Sequence, residues 1–193
     1  FHMLQAGVRV GLGLDGKSIN DDDDMIQEMK VCYLLHRIPS LELDSPHMDA
    51  RQVFRMATET NASLLGYKGE IGRIAPGMKA DLVLLDYETM CSPYVDPAHD
   101  PIDVLLYRGL GSHVVTVMIN GQVVMDQREV RTIDENRLKS DLAKMASYPR
   151  TAEEANKKQL IAELKKYIVS YYKEWPARIK TNPYFQINSK VDS

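Results

Sequence analysis

Two β-branched runs meet at Asn120-Gly121, with Val114 to Ile119 on one side and Gln122 to Met125 on the other. Asn-Gly in a two-residue loop selects a type I′ turn, whose twist matches that of the flanking strands. The chain therefore contains an antiparallel hairpin. Upstream, Gly72 and Pro76-Gly77 punctuate a turn that feeds a buried strand over 81–86, so this part of the chain is sheet.

The flanks are helical. Asp24 is placed to cap a helix carrying Met25, Ile26, Met29, Cys32, Tyr33 and Leu35, with Gln27 at the third helical position and Pro39 beyond the end. Asp49 and Gln52 form the same signature ahead of Val53, Met56, Ala57, Leu64 and Leu65, with Gly66 or Gly69 as the stop. Thr132-Ile133-Asp134-Glu135 opens a third helix with Leu138, Leu142 and Met145 on one face. Over 152–175 a stripe of Leu160, Leu164, Tyr167, Ile168, Tyr171, Tyr172 and Trp175 opposes a Lys-rich face, so this helix is expected to pack on an apolar surface. No repeat, low-complexity tract or flexible linker separates these blocks, and the boundary near residue 66 is a change of architecture.

Residues 8–14 form a short apolar run bounded by glycines, the pattern of a buried parallel strand, with Asp15 at its C-terminal end. Gly11, Gly13 and Gly16 match G-x-G-x-x-G, the dinucleotide fingerprint. The electrostatics oppose that reading. Asp15 lies inside the motif and Asp21 to Asp24 crowd the helix start, where the fingerprint needs bare N–H groups to attract a pyrophosphate. An acidic strand end instead suits a cation, or Asp15 caps its loop; spacing alone leaves both open. The aspartate run lacks the Gly and Glu of a calcium hand and reads as a solvated helix cap.

Composition narrows the function classes. With 193 residues, 44% hydrophobic and 26% charged, the chain has the balance of a folded domain and is too short for a complete eight-fold barrel. A formal charge of −3 offers no basic field for a phosphate backbone, so nucleic acid is excluded as a partner. No apolar run reaches the roughly 18 residues of a membrane span, and a soluble, cytoplasmic protein with free thiols at Cys32 and Cys91 is expected. Starting at Phe1 and passing at once into an apolar run, the sequence reads as cut from something longer.

The segment 10–16, followed by Ser18, Asn20 and Asp21, resembles the eighth-strand end of the amidohydrolase superfamily, in its cytosine/guanine deaminase and chlorohydrolase-like branch. Met56-Ala57-Thr58, Asn61-Ala62, Leu65-Gly66, residues 71–83 and Val117 to Gly121 are similar to the same family's last barrel helix and small β-sandwich. The resemblance runs in order over residues 1–131. It implies the C-terminal part of a (β/α)8 TIM-like barrel over 1–66, part of a composite β-sandwich over 67–131, and a helical C-terminal segment over 132–193, an α/β architecture.

It also implies that Asp15 is a ligand of a single zinc or iron ion and helps take the proton from the metal-bound water. Ser18 and Asn20 would line the substrate loop, and Leu14 stands where many relatives carry Thr. The implied reaction is hydrolysis of a C–N or C–Cl bond on a nitrogen heterocycle. The family's histidine ligands have no counterpart, since His2, His36, His47, His99 and His113 fall outside any such motif. One carboxylate cannot close a tetrahedral site, so the chain alone is expected to be inactive and to need the N-terminal remainder of the barrel. A homo-oligomer is expected. The competing readings are a non-catalytic interaction module and the dinucleotide binder. Cys32 reads as a buried small hydrophobe, and Tyr171, Tyr172 and Trp175 as a packing stripe.

Overall fold

The computed structural model describes residues 2–14, 22–36, 47–149 and 151–175. In chain order the elements are α1 (His2–Gln5), α2 (Met25–Leu35), α3 (Ala50–Ala57), α4 (Glu59–Leu64), β1 (Leu82–Leu85), α5 (Tyr87–Met90), α6 (Pro101–Arg108), a 3₁₀ turn (Gly111–His113), β2 (Val114–Ile119), β3 (Gln122–Asp126), β4 (Glu129–Val130), α7 (Glu135–Ser147) and α8 (Ala152–Lys173). The chain divides into two compact units, Phe1–Leu138 and Lys139–Ser193, and α7 spans the division.

The hairpin forms as its sequence requires. Asn120 and Gly121 adopt φ of 49° and 81°, the two left-handed positions of a type I′ turn. β2 and β3 belong to a four-stranded antiparallel sheet of order β1-β2-β3-β4, with Leu82 opposite Met118 and Val83 opposite Val117. The tip is tied to the start of β1, because the Asn120 N–H donates to Asp81 Oδ1 at 2.6 Å and the Gly121 N–H to the Ala80 carbonyl at 3.0 Å. β1 lies at an edge, with Val83 and Leu84 58% and 51% exposed.

The core is helical. α2, α3 and α6 pack on one another around Met29, Tyr33, Val53, Met56, Val104 and Leu106, with Val53 fully buried. Cys32 is buried there too, as its apolar helix face predicts. α6 has a sequence signal of its own, the Asp100 cap followed by Pro101 in the first turn, although its apolar run Val104-Leu105-Leu106 lacks strong periodicity. Asp49 and Gln52 make the complete reciprocal capping box at α3.

Several expectations are corrected. Residues 8–14 belong to no strand, and no parallel strand pairing occurs among the described residues. A parallel strand draws its ladder from neighbours on both sides, and here the Leu12 N–H bonds instead to the Met56 carbonyl at 3.2 Å. The helix expected from Asp49 to Leu65 is broken at Thr58, whose φ and ψ are −120° and −93° and whose hydroxyl bonds back to the Phe54 carbonyl at 2.7 Å. Gln27 does not reach back to its cap; its amide donates to Asp22 at 2.8 Å, while Asp24 Oδ1 accepts from Ile26 and Gln27. Asp134, not Thr132, caps α7 by accepting from the Arg137 N–H at 2.9 Å. Pro39 lies outside the described residues.

α8 carries a complete capping box between Thr151 and Glu154. None of its residues is buried. The rings of Tyr171, Tyr172 and Trp175 pack on one another, with centroids 5.1 to 5.9 Å apart.

Candidate functional site

Asp15, Ser18, Asn20 and Gly16 lie outside the described residues, and so does Asp21. The stretches on both sides of residues 15–21 are described, and both are anchored. On the leading side, Val10 and Leu12 pack against the helical core. The backbone of Leu12 is held twice, its N–H by the Met56 carbonyl of α3 and its carbonyl by the Asn61 side-chain amide of α4. The break at Thr58 makes this grip possible, since it starts a new helix that presents Asn61 to the 8–14 segment.

Gly11 meets α4 so closely that an added Cβ would overlap Asn61 Oδ1 and sit 2.9 Å from Leu64 Cδ1. Its glycine is thus explained by packing, with no phosphate needed. Gly13, by contrast, has nothing within 4 Å of the corresponding position.

On the trailing side Asp24 does two jobs. Its Oδ1 caps α2 by accepting from the Ile26 and Gln27 N–H groups at 2.9 and 3.2 Å, and its Oδ2 accepts from the Gly111 N–H at 3.0 Å. The last aspartate of the acidic run therefore fastens α2 to the 3₁₀ turn before β2. Asp22 accepts from Gln27 and from the Asp24 N–H. These two carboxylates serve the helix start.

A tetrahedral cation site needs several His, Cys, Asp or Glu donors converging on one point. Among the described residues no three His, Cys, Asp or Glu side chains come together in a way that would hold a cation. His2 pairs with Gln5 at 3.2 Å, His36 ends α2, and His113 Nδ1 accepts from the Leu110 N–H at 3.1 Å. A tetrahedral site is therefore not assembled by the described part of this chain. A cleft of about 530 Å³ is lined by Tyr33, Tyr94, His99, Asp103, Tyr107 and Arg108, with the Tyr33 and Tyr107 hydroxyls 3.1 Å apart.

What sequence reasoning missed is the role of Asn61. It stands within the family-like stretch, but only its long-range bond to Leu12 reveals what its amide does. Arg9 is a second such residue, bonded through Nη1 to the Ser63 hydroxyl. Its isolated charge in an apolar run was the available signal.

The described residues on either side of positions 15–21 thus consist of an extended segment pinned to the α3–α4 pair and an acid-capped helix, α2. The chain belongs to the amidohydrolase family, whose sequence model matches residues 2–124. It is 42% identical over 145 residues to a 5-methylthioadenosine/S-adenosylhomocysteine deaminase of Pelotomaculum thermopropionicum, a match covering 75% of this chain and 32% of that protein. It is 38% identical over 146 residues to a 5′-deoxyadenosine deaminase of Methanosarcina barkeri, covering 76% and 32%. Among solved structures, a zinc-bound adenosine deaminase from Xanthomonas campestris matches with TM-score 0.65 and 30% identity over 74% of this chain and 31% of that one. The zinc complex of atrazine chlorohydrolase from Arthrobacter aurescens matches with TM-score 0.61 and 28% identity, covering 72% and 30%. The chain thus spans about a third of the length of the curated relatives it matches. The described residues are an α/β mixture carrying a four-stranded antiparallel sheet, and the match to these structures makes the chain a fragment of a TIM-barrel-type fold.

Proposed function

We infer that this chain is the C-terminal portion of a metal-dependent amidohydrolase that deaminates an amino-substituted nitrogen heterocycle by hydrolysis. The observation that carries the reading is the double anchoring of Leu12, three residues before Asp15, inside the stretch matched by the family. A backbone held at both its N–H and its carbonyl fixes the course of the described segment before Asp15, the kind of support that a preorganised site needs.

In this reading Asp15 contributes one carboxylate to a zinc site and accepts a proton there, while Ser18 and Asn20 line the substrate loop. The remaining ligands come from the N-terminal remainder of the barrel. Zinc in the Xanthomonas and Arthrobacter structures supports the choice of metal. The names of the curated relatives support an adenosine-type purine as substrate, ahead of a C–Cl substrate.

Residues 1–66 then close the barrel, 67–131 form part of a β-sandwich, and 132–193 form a helical appendage. The exposed edge of β1, with Val83 and Leu84 uncovered, supports further strands completing that sandwich. The complete enzyme is placed in the cytoplasm as a homo-oligomer.

The test is Asp15→Asn in the full-length protein. Adenosine-type deamination is expected to fall by orders of magnitude, with bound zinc reduced and the thermal unfolding midpoint nearly unchanged. Near wild-type turnover would remove Asp15 from the site. Absence of both metal and turnover in the unmutated full-length protein would favour a non-catalytic interaction module.

A further inference from the structure

We propose that the cleft between the start of the 8–14 segment, α4 and the 66–73 turn binds a phosphate-type oxyanion. Its walls carry the cations Arg9, Lys68 and Arg73 and the hydroxyls of Thr60 and Ser63, against a single carboxylate, Glu59. The cleft measures about 400 Å³, room for a phosphate and a group attached to it.

The charge in this cleft is not balanced from within. Glu59 reaches Arg73 at 3.7 Å, and both side chains are more than half exposed. Arg9 directs Nη1 to the Ser63 hydroxyl at 3.2 Å, a neutral partner that leaves its charge uncompensated. Lys68 forms no ion pair among the described residues. The neighbouring acid, Glu70, is taken by Lys79 at 2.7 Å. Cations gathered on one concave wall repel each other, and a bound dianion turns that repulsion into attraction.

The cradle is also held in shape before any ligand arrives. The turn that bears Lys68 and Arg73 is seated directly on α4, with the Tyr67 N–H bonded to the Ala62 carbonyl at 2.7 Å. Lys68 and Ile71 bridge across the turn. Gly72 at φ 96° brings its backbone so near that an added Cβ would lie 2.9 Å from Ala62 Cβ and 3.0 Å from Glu59 Cα. Guanidinium forks suit phosphate oxygens in pairs, an ammonium adds a point charge, and hydroxyls supply neutral donors. This combination selects a tetrahedral oxyanion.

The experiment is isothermal titration of the full chain with inorganic phosphate at constant ionic strength. One saturable site is expected, weakened about tenfold or more by Lys68→Gln with Arg73→Gln, with circular dichroism unchanged. Parallel titrations with adenosine monophosphate and adenosine separate the sources of the group. A monophosphate that binds more tightly than phosphate and loses that affinity in the double variant, with adenosine unaffected by the two substitutions, identifies a nucleotide; equal affinities identify the free ion. No saturable binding, or binding that survives the double substitution, overturns the proposal. Should the double variant fail to fold, acetylation of the unmutated chain decides. Phosphate is expected to protect Lys68 and not Lys158, and loss of that contrast overturns the proposal equally.

Discussion

The Asn61 side-chain amide donates to the main-chain carbonyl of Leu12, 49 residues earlier in the chain. That bond joins α4 to the segment that runs towards Asp15, and it sits beside the point where Gly11 and α4 approach without room for a side chain. Gly11→Ala should therefore cost about 1–3 kcal/mol, since a methyl there displaces the Asn61 side chain that holds Leu12 and crowds Leu64 Cδ1. Gly13→Ala, with open space around it, should stay within about 0.5 kcal/mol. Urea denaturation of the two variants checks this. Equal stabilities would remove the packing explanation of Gly11.

Removing the amide exposes the other half of the relationship. Asn61→Ala leaves the Leu12 carbonyl without its donor and should cost about 1–2 kcal/mol. The same change removes the oxygen that a methyl at Gly11 would strike, so the double variant should be less destabilised than the sum of the singles. A strictly additive double-mutant cycle would show that the two residues do not act on each other.

Asp24 combines a helix cap with a tertiary tie to Gly111. Asp24→Ala is expected to cost about 2 kcal/mol, above the ~1 kcal/mol typical of a cap alone. Asp49→Ala, which loses a capping box and no long-range bond through that carboxylate's cap, serves as the comparison. Thermal denaturation ranks them, and a smaller loss for Asp24 would contradict the tie.

Asp86 is held below the usual carboxylate range, first by the Thr89 backbone N–H, then by the Thr89 hydroxyl and by Arg128 at 3.0 Å. A carboxyl whose folded pKa is depressed adds stability above its unfolded value of about 3.9, and that stability is lost as pH falls through the lower folded value. Asp86→Asn should therefore flatten the decline in unfolding midpoint below about pH 5, leaving a smaller difference from wild type at the acid end. Parallel acid limbs for the two proteins would rule this out.

The two free cysteines should differ in reactivity. Burial pushes the Cys32 thiol up in pKa, whereas Cys91 is only half-buried. Brief alkylation of the native protein followed by mass spectrometry should label Cys91 first, with Cys32 modified only after denaturation. Rapid labelling of Cys32 would place it nearer solvent than its packing on Met48 indicates.

Local signals carried the elements whose stability is local. Asn120-Gly121 needs nothing beyond its own φ preferences to make a turn, and Asp49 with Gln52 closes its box within four residues. Gly11, Asp15, Asn61 and the 71–83 stretch, in that order, point to the family from the sequence alone. Tertiary structure decided the rest, because the deciding partners lie far apart in sequence. Whether 8–14 is a strand depends on neighbours that the segment does not encode, and here Leu12 bonds to helices instead. Whether Gly11 serves a phosphate or a packing contact depends on Asn61 and Leu64, and whether Arg9, Lys68 and Arg73 share one cleft depends on a turn folded onto α4. Periodicity reports which face of an element is apolar; only the packed chain reports what that face, or a single charge, comes to meet.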